Sequence, residues 1–192
     1  MALTTKLEAV NIMISVIGES PVNTLSGTSV PVTVTQAVHA LDETSKAIQS
    51  EGWHYNTEYD YPLVPDSVTS RITLPVNTLK VDLDPEIYTD SDPVQRGLKL
   101  YDRKNHRDTW TKDLKAIITF ELDFEELPEQ FRHYIAVKSA RIFAARFLGS
   151  REIEGFALRD EIEAKARAIE SDSENADRTI FDNYSVLRVL DR

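Results

Sequence analysis

The spacing of apolar residues changes period along the chain, and those changes divide it into regions. From Leu127 to Gly149 apolar positions recur at helical spacing in two rows, Phe131, Ile135 and Ile142 in one and Tyr134, Val137, Ala144 and Leu148 in the other. Pro128 suits a first helical position, Glu129 the positive end of the dipole, and Gly149 a left-handed exit. A helix apolar over so much of its circumference belongs at the centre of a fold, and its length is about 30 Å. A first helix is expected from Thr5, with Glu8 completing a capping box and Leu7, Val10, Ile14 and Ile17 on one stripe. Gly18 and Pro21 stop it, and residues 18–32 read as a loop anchored by Val22 and Leu25. A second helix, capped by Thr33 with Gln36 in the reciprocal position, turns Val34, Val38, Leu41 and Ile48 inward and ends at Gly52.

From Trp53 to Phe124 the period falls to about 2. Strand candidates carry Tyr55, Tyr59, Tyr61 and Leu63, then Ile72 and Leu74, then Leu79, Val81 and Leu83. Leu98, Leu100 and Tyr101 are expected to pair with residues around Trp110 through a polar turn over 103–106, and Ile117, Thr119, Phe120 and Leu122 form a last strand. Beyond the long helix, Ser150 caps a fourth helix reaching about residue 172, with Leu158, Ile162, Ala166 and Ile169 as its apolar stripe. Glu161 with Lys165 and Glu163 with Arg167 stand at the helpful i to i+4 spacing. Ser171 to Asp177 has the composition of a polar linker. The chain then turns apolar again at Ile180, Phe181, Tyr184, Val186, Leu187, Val189 and Leu190, punctuated by three arginines. This last segment either folds back on its own core or docks into a neighbouring subunit.

The pattern predicts an α+β protein, an antiparallel bundle of about four helices with a small inserted antiparallel β-sheet and an extended C-terminal tail. The bundle takes residues 1–52 and 125–173, the β region 53–124, and the linker and docking tail 174–192. A hydrophobic share of 41% and a charged share of 28% place it with ordinary globular proteins. The formal charge of -10 argues against a surface that grips nucleic acid phosphates generally. With no cysteine, disulfides and thiolate metal sites are excluded. No apolar run reaches the roughly 18 to 20 residues needed for a membrane span, and Glu8, Asn11 and Ser15 spoil the first segment as a signal peptide.

Candidate chemistry is sparse. His39, His54, His106 and His133 show no metal-binding spacing, so no metal or other cofactor is expected. Gly18-Glu19-Ser20-Pro21-Val22 departs from a nucleophile elbow at its fifth residue, and the six scattered glycines build no phosphate loop. The acidic run Asp82, Asp84, Glu86, Asp90 and Asp92 lacks the glycine a calcium loop needs, having Ile87 there, and reads as a solvated loop. Adjacent carboxylates such as Glu125 and Glu126 usually point apart, so a glycan hydrolase finds no specific support.

Several segments nevertheless resemble the tail tubular protein A family of short-tailed bacteriophages. They are Ala9-Val10-Asn11 with Ile17-Gly18-Glu19-Ser20-Pro21-Val22 and Leu25; Ile48-Gln49-Ser50-Glu51-Gly52-Trp53; Tyr101-Asp102-Arg103; and Leu127-Pro128-Glu129 with Phe131-Arg132, Tyr134-Ile135, Lys138, Arg141, Phe147 and Gly149. Glu154-Gly155 continues the match. The resemblance implies a structural virion protein and no enzyme: a dodecameric head-to-tail adaptor ring between the portal and the nozzle protein, supporting tail-fibre attachment. Double-stranded DNA would pass through its lumen as cargo only, and the ring would be assembled in the host bacterial cytoplasm. Portal docking is then expected of the C-terminal tail, through Ile180, Phe181, Tyr184, Leu187, Arg188 and Leu190. The competing reading is a virion-associated glycan or cell-wall hydrolase, which would need carboxylates converging in a cleft.

Overall fold

The computed structural model describes residues 3–27, 30–148 and 151–176, the side chains of 148 and 151–157 excepted. The fold is α+β and falls into two compact units, one formed by residues up to Thr44 and from Leu127 onward, the other by Ser45–Glu126.

The helical unit begins with α1, Lys6–Val16. Its capping box forms as the sequence predicts: the Thr5 N–H donates to Glu8 Oε2 at 2.7 Å and the Glu8 N–H to Thr5 Oγ1 at 3.2 Å. Ala9, Val10, Met13 and Ile14 make its buried face. The second helix, α2, spans Val32–Gln49 and starts earlier than a Thr33 cap allows. The Pro31 carbonyl accepts from Val34 N–H and Thr35 N–H, the first bonds of the helical ladder, so Pro31 and not Thr33 stands just before the first turn. Thr33 therefore lies inside the first turn, where its hydroxyl donates to Glu19 Oε2 at 2.7 Å. The long helix α3, Glu129–Leu148, is central as expected, packing against α1 and burying Phe131, Tyr134, Ile135, Ala136, Phe143 and Ala144.

The fourth helix, α4 (Arg151–Asn175), also packs on α3, but not by the predicted stripe. Its buried face is Ala164, Ala168 and Asp172, at strict i to i+4 spacing. Small side chains let two helix backbones approach closely, so α4 lies on α3 through alanines and leaves its bulky residues outside. Leu158, Ile162 and Ile169 are 45%, 61% and 44% exposed, and Ala166 is exposed as well. The helix also runs through the supposed linker to Asn175, since Asp172 continues the buried row. Glu163 pairs with Arg167 at 2.5 Å as predicted, whereas Glu161 turns to Arg141 of α3 rather than to Lys165.

In the β unit, β1 (Thr57–Leu63), β5 (Leu114–Phe120) and β2 (Thr78–Leu83) form an antiparallel sheet in the order β1-β5-β2. Alternation puts Val81 and Leu83 of β2 opposite Ile118 and Ala116 of β5, over a core with Leu63, Leu74, Leu100, Trp110 and Phe120. A separate hairpin joins β3 (Pro93–Arg96) to β4 (Lys99–Asp102). Thus Leu100 and Tyr101 pair with Gln95 and Val94, not with the residues around Trp110. Gly97, at φ +62, allows the two-residue turn that pairs β3 with β4. Residues 72–74 also bond this segment, the Leu100 N–H donating to the Ile72 carbonyl at 3.3 Å and the Leu74 N–H to the Leu98 carbonyl at 2.9 Å, so the predicted 103–106 turn closes at a bridge between Asp102 and Arg107. Trp110 meets β4 through its indole N–H, which donates to the Leu100 carbonyl at 3.1 Å, and shares the buried apolar cluster with Leu100. Ile72 and Leu74 stay buried beside isolated bridges, Arg71 to Thr109 and Thr73 to Lys99, rather than in a strand.

Candidate interaction surfaces

Polar side chains that look like candidate chemistry are bound up in holding the backbone together. Asn11 donates to the Val22 carbonyl at 3.0 Å and accepts from the Val22 N–H at 2.8 Å, which fixes the loop after α1. Thr4 donates twice to the Glu129 carboxylate, from its N–H at 2.8 Å and its hydroxyl at 2.5 Å. The buried Arg132 guanidinium donates to the carbonyls of Leu127 at 2.7 Å and Thr4 at 2.9 Å, so the chain start is tied to the start of α3 from both ends of one turn. In the β unit, Gln49 exchanges hydrogen bonds with both backbone groups of Leu122, at 3.0 and 2.8 Å. Asn56, also buried, bridges the carbonyls of Gln49 and Phe120. Gly52 leaves the helix at φ +84, and the Trp53 indole closes onto the Ile48 carbonyl at 2.7 Å. Buried amides satisfied on several sides fix one geometry and are expensive to lose.

The acidic loop is likewise occupied by its own chain. Arg103 donates to Asp92 through Nε and Nη2, both at 2.7 Å, while Lys104 Nζ reaches the Thr89 carbonyl and Asn105 the Asp90 carbonyl. Beneath them Asp102 has a side chain with no exposed surface. Burial pushes its carboxyl up, but hydrogen bonds from the Asn105 side chain and from the Asp92 and Asn105 N–H groups, with the Arg107 charge, outweigh that and hold it below the ordinary carboxylate value. Among the described residues no group of three or more His, Asp or Glu is placed to hold a metal ion. His39, His54, His106 and His133 are all at the surface, as are Glu125 and Glu126. No helix among the described residues is long and apolar enough to cross a membrane.

What the helical unit does present is apolar surface. One feature is the ridge of Leu158, Ile162 and Ile169 on α4. Another is a cleft of about 380 Å³ between α2 and α3, floored by Ala40, Phe143 and Phe147 and rimmed by Gln36, His39, Glu43 and Arg146. The Phe143 and Phe147 rings meet at a tilt of 39° with centroids 4.5 Å apart, and Arg146 Nη2 stands 3.4 Å from Glu43 Oε2. Leu3, Ile12 and Val16 of the N-terminal segment and α1 are also exposed. The residues predicted to dock, Ile180, Phe181, Tyr184, Leu187, Arg188 and Leu190, lie outside the described residues, as do the cap Ser150 and the exit Gly149. The ridge and cleft were not anticipated. The ridge could have been found from its own residues, because the same stripe that predicts an inward face serves equally as an outward one when alanines lie on the next face round.

A family model described as Tail tubular protein matches residues 7–178. The chain belongs to that family. This tail tubular protein is thereby a structural component of a bacteriophage tail, in a family that is not one of enzymes. Membership also implies assembly with other tail components in the virion. No curated protein matches the chain.

Proposed function

We propose that this tail tubular protein is the subunit of a dodecameric adaptor ring between portal and nozzle, supporting tail-fibre attachment and passing double-stranded DNA through its lumen. The observation that carries the reading is the outward ridge of large aliphatic residues on α4, in a unit whose own core is already filled. A closed ring needs each copy to offer two different side faces, and burial of such surface contributes roughly 25 cal/mol per Å², offset by lost motion. In this proposal the helical framework, 1–52 and 125–173, is the ring body. The β region, 53–124, faces nozzle or fibre. Residues 174–192 are the docking tail, with Ile180, Phe181, Tyr184, Leu187, Arg188 and Leu190 seated in the portal. The net charge of -10 suits a channel that DNA slides through without sticking. Catalysis has no part in this role, and assembly takes place in the host cytoplasm.

The test is co-sedimentation of the full chain, and of a chain ending at residue 177, with purified portal protein. The full chain is expected to sediment with the portal and the shortened chain to lose most of that binding. If the full chain ignores the portal, the adaptor role fails. If the shortened chain binds as well as the full one, docking by the tail fails.

A further inference from the structure

We infer that the α4 ridge of one copy seats in the α2–α3 cleft of a second copy; this rests on the ring reading and names the surfaces that would make it. The ridge is convex and apolar, Leu158, Ile162 and Ile169 following one another along the helix. The cleft is concave with an aromatic floor, and about 380 Å³ leaves room for more than one aliphatic side chain. A chain cannot fill its own cleft with its own ridge. At about 100° per residue, Phe143, Arg146 and Phe147 lie on the side of α3 roughly opposite Arg141, and Arg141 is the residue that binds Glu161 of α4. On α4 the ridge is about a quarter turn from the face made by Ala164, Ala168 and Asp172. Ridge and cleft thus belong to different sides of one unit, the condition for a head-to-tail contact that repeats and can close.

Charge complements shape. Ile162 is flanked three residues away on each side by Arg159 and Lys165. The cleft rim holds the Glu43 carboxylate, 69% exposed and only loosely engaged by Arg146 at 3.4 Å, longer than a well-made charge-assisted bond of about 2.7 to 2.9 Å. A cation beside the incoming Ile162 has a carboxylate to meet.

The chain has no cysteine, so a single one can be placed cleanly. Two otherwise full-length chains are made, Ile162→Cys on the ridge and Gln36→Cys on the cleft rim, both at exposed positions, with circular dichroism to confirm that each folds. They are mixed with tags of different mass and oxidised mildly. The mixed disulfide is expected to exceed either homodisulfide severalfold, and Ile162→Asp chains are expected to lose assembly while keeping their melting temperature. Equal amounts of all three disulfides, a dominant homodisulfide, or none at all would overturn the ridge-in-cleft contact. A wild-type chain that assembles while the disulfides are unselective rejects this contact alone. A wild-type chain that stays monomeric even with the portal rejects the ring reading itself.

Discussion

Both units bury a core of large apolar residues, but they differ in what they leave at the surface. In the β unit Leu63, Ile72, Leu74, Leu83, Leu100, Trp110 and Ile118 are buried together, and its exposed Tyr59, Val64, Val68, Val76, Ile87 and Leu98 stand apart along the chain. The helical unit buries alanines under α4 and leaves leucine and isoleucine outside. Even the β1 edge is blunted, by a register shift between Glu58 and Tyr61 with Asp60 at φ 56. A unit that has closed its own surface reports stability when mutated. A unit with a continuous outward aliphatic row reports association.

That contrast can be broken first where it predicts the largest effect. Ile118→Ala, at the centre of the β core, is expected to cost about 2–5 kcal/mol in chemical denaturation with no direct effect on assembly. A loss below one kcal/mol would show that the core is not close-packed. Ala168→Leu tests the other side: the alanine face has no room, so overpacking is expected to cost about 1–3 kcal/mol despite the larger apolar group. If it stabilises the chain, α4 does not lie on α3 through its alanines.

Asp102→Asn exchanges an acceptor for a group that must compete with the donors around it, at about 1–3 kcal/mol near neutral pH. Because the folded-state value of Asp102 lies below its unfolded-state value, its stabilisation is fully present above the unfolded-state value and is lost as the pH falls toward the folded-state one. The wild type should therefore lose stability faster than the variant as the solution is acidified, measured by urea midpoints across that range; parallel curves would refute the assignment. Thr5→Ala removes one side-chain cap and is expected to cost about 1 kcal/mol. The smallest effect on stability belongs to Ile162→Asp, within about 0.5 kcal/mol, although it is the change expected to matter most for assembly.

The sequence was readable where interactions are local. The capping box at Thr5 and Glu8, the apolar circumference of α3, and the alternation of β2 and β5 all depend on neighbours a few residues apart. It misled where one pattern serves two outcomes. The stripe at Leu158, Ile162, Ala166 and Ile169 marks a helix face correctly, but periodicity does not say whether water or protein lies beyond it. Glu161 was equally placed for Lys165 and for another helix, and α3 supplied Arg141. The pairing expected around Trp110 gave way because β4 is bonded to β3 through the Gly97 turn and to residues 72–74, which lie about 27 residues away in the chain and carry no local sign of it. Gln49 and Asn56 make local bonds to Ser45 and Trp53, but their long-range partners Leu122 and Phe120 stand 73 and 64 residues away, where no local pattern points. Of the candidate site, the predicted docking residues 180–190 lie outside the described residues, and the surfaces that can be described emerged only with the packing of α4.

Assembly is the property on which the ring role depends, and its most direct measurement is the mass of the purified chain by light scattering over a concentration series, alone and with portal protein. A closed species of about twelve copies, formed alone or on the portal, is the predicted result. A monomer at every concentration, unchanged by the portal, would contradict it.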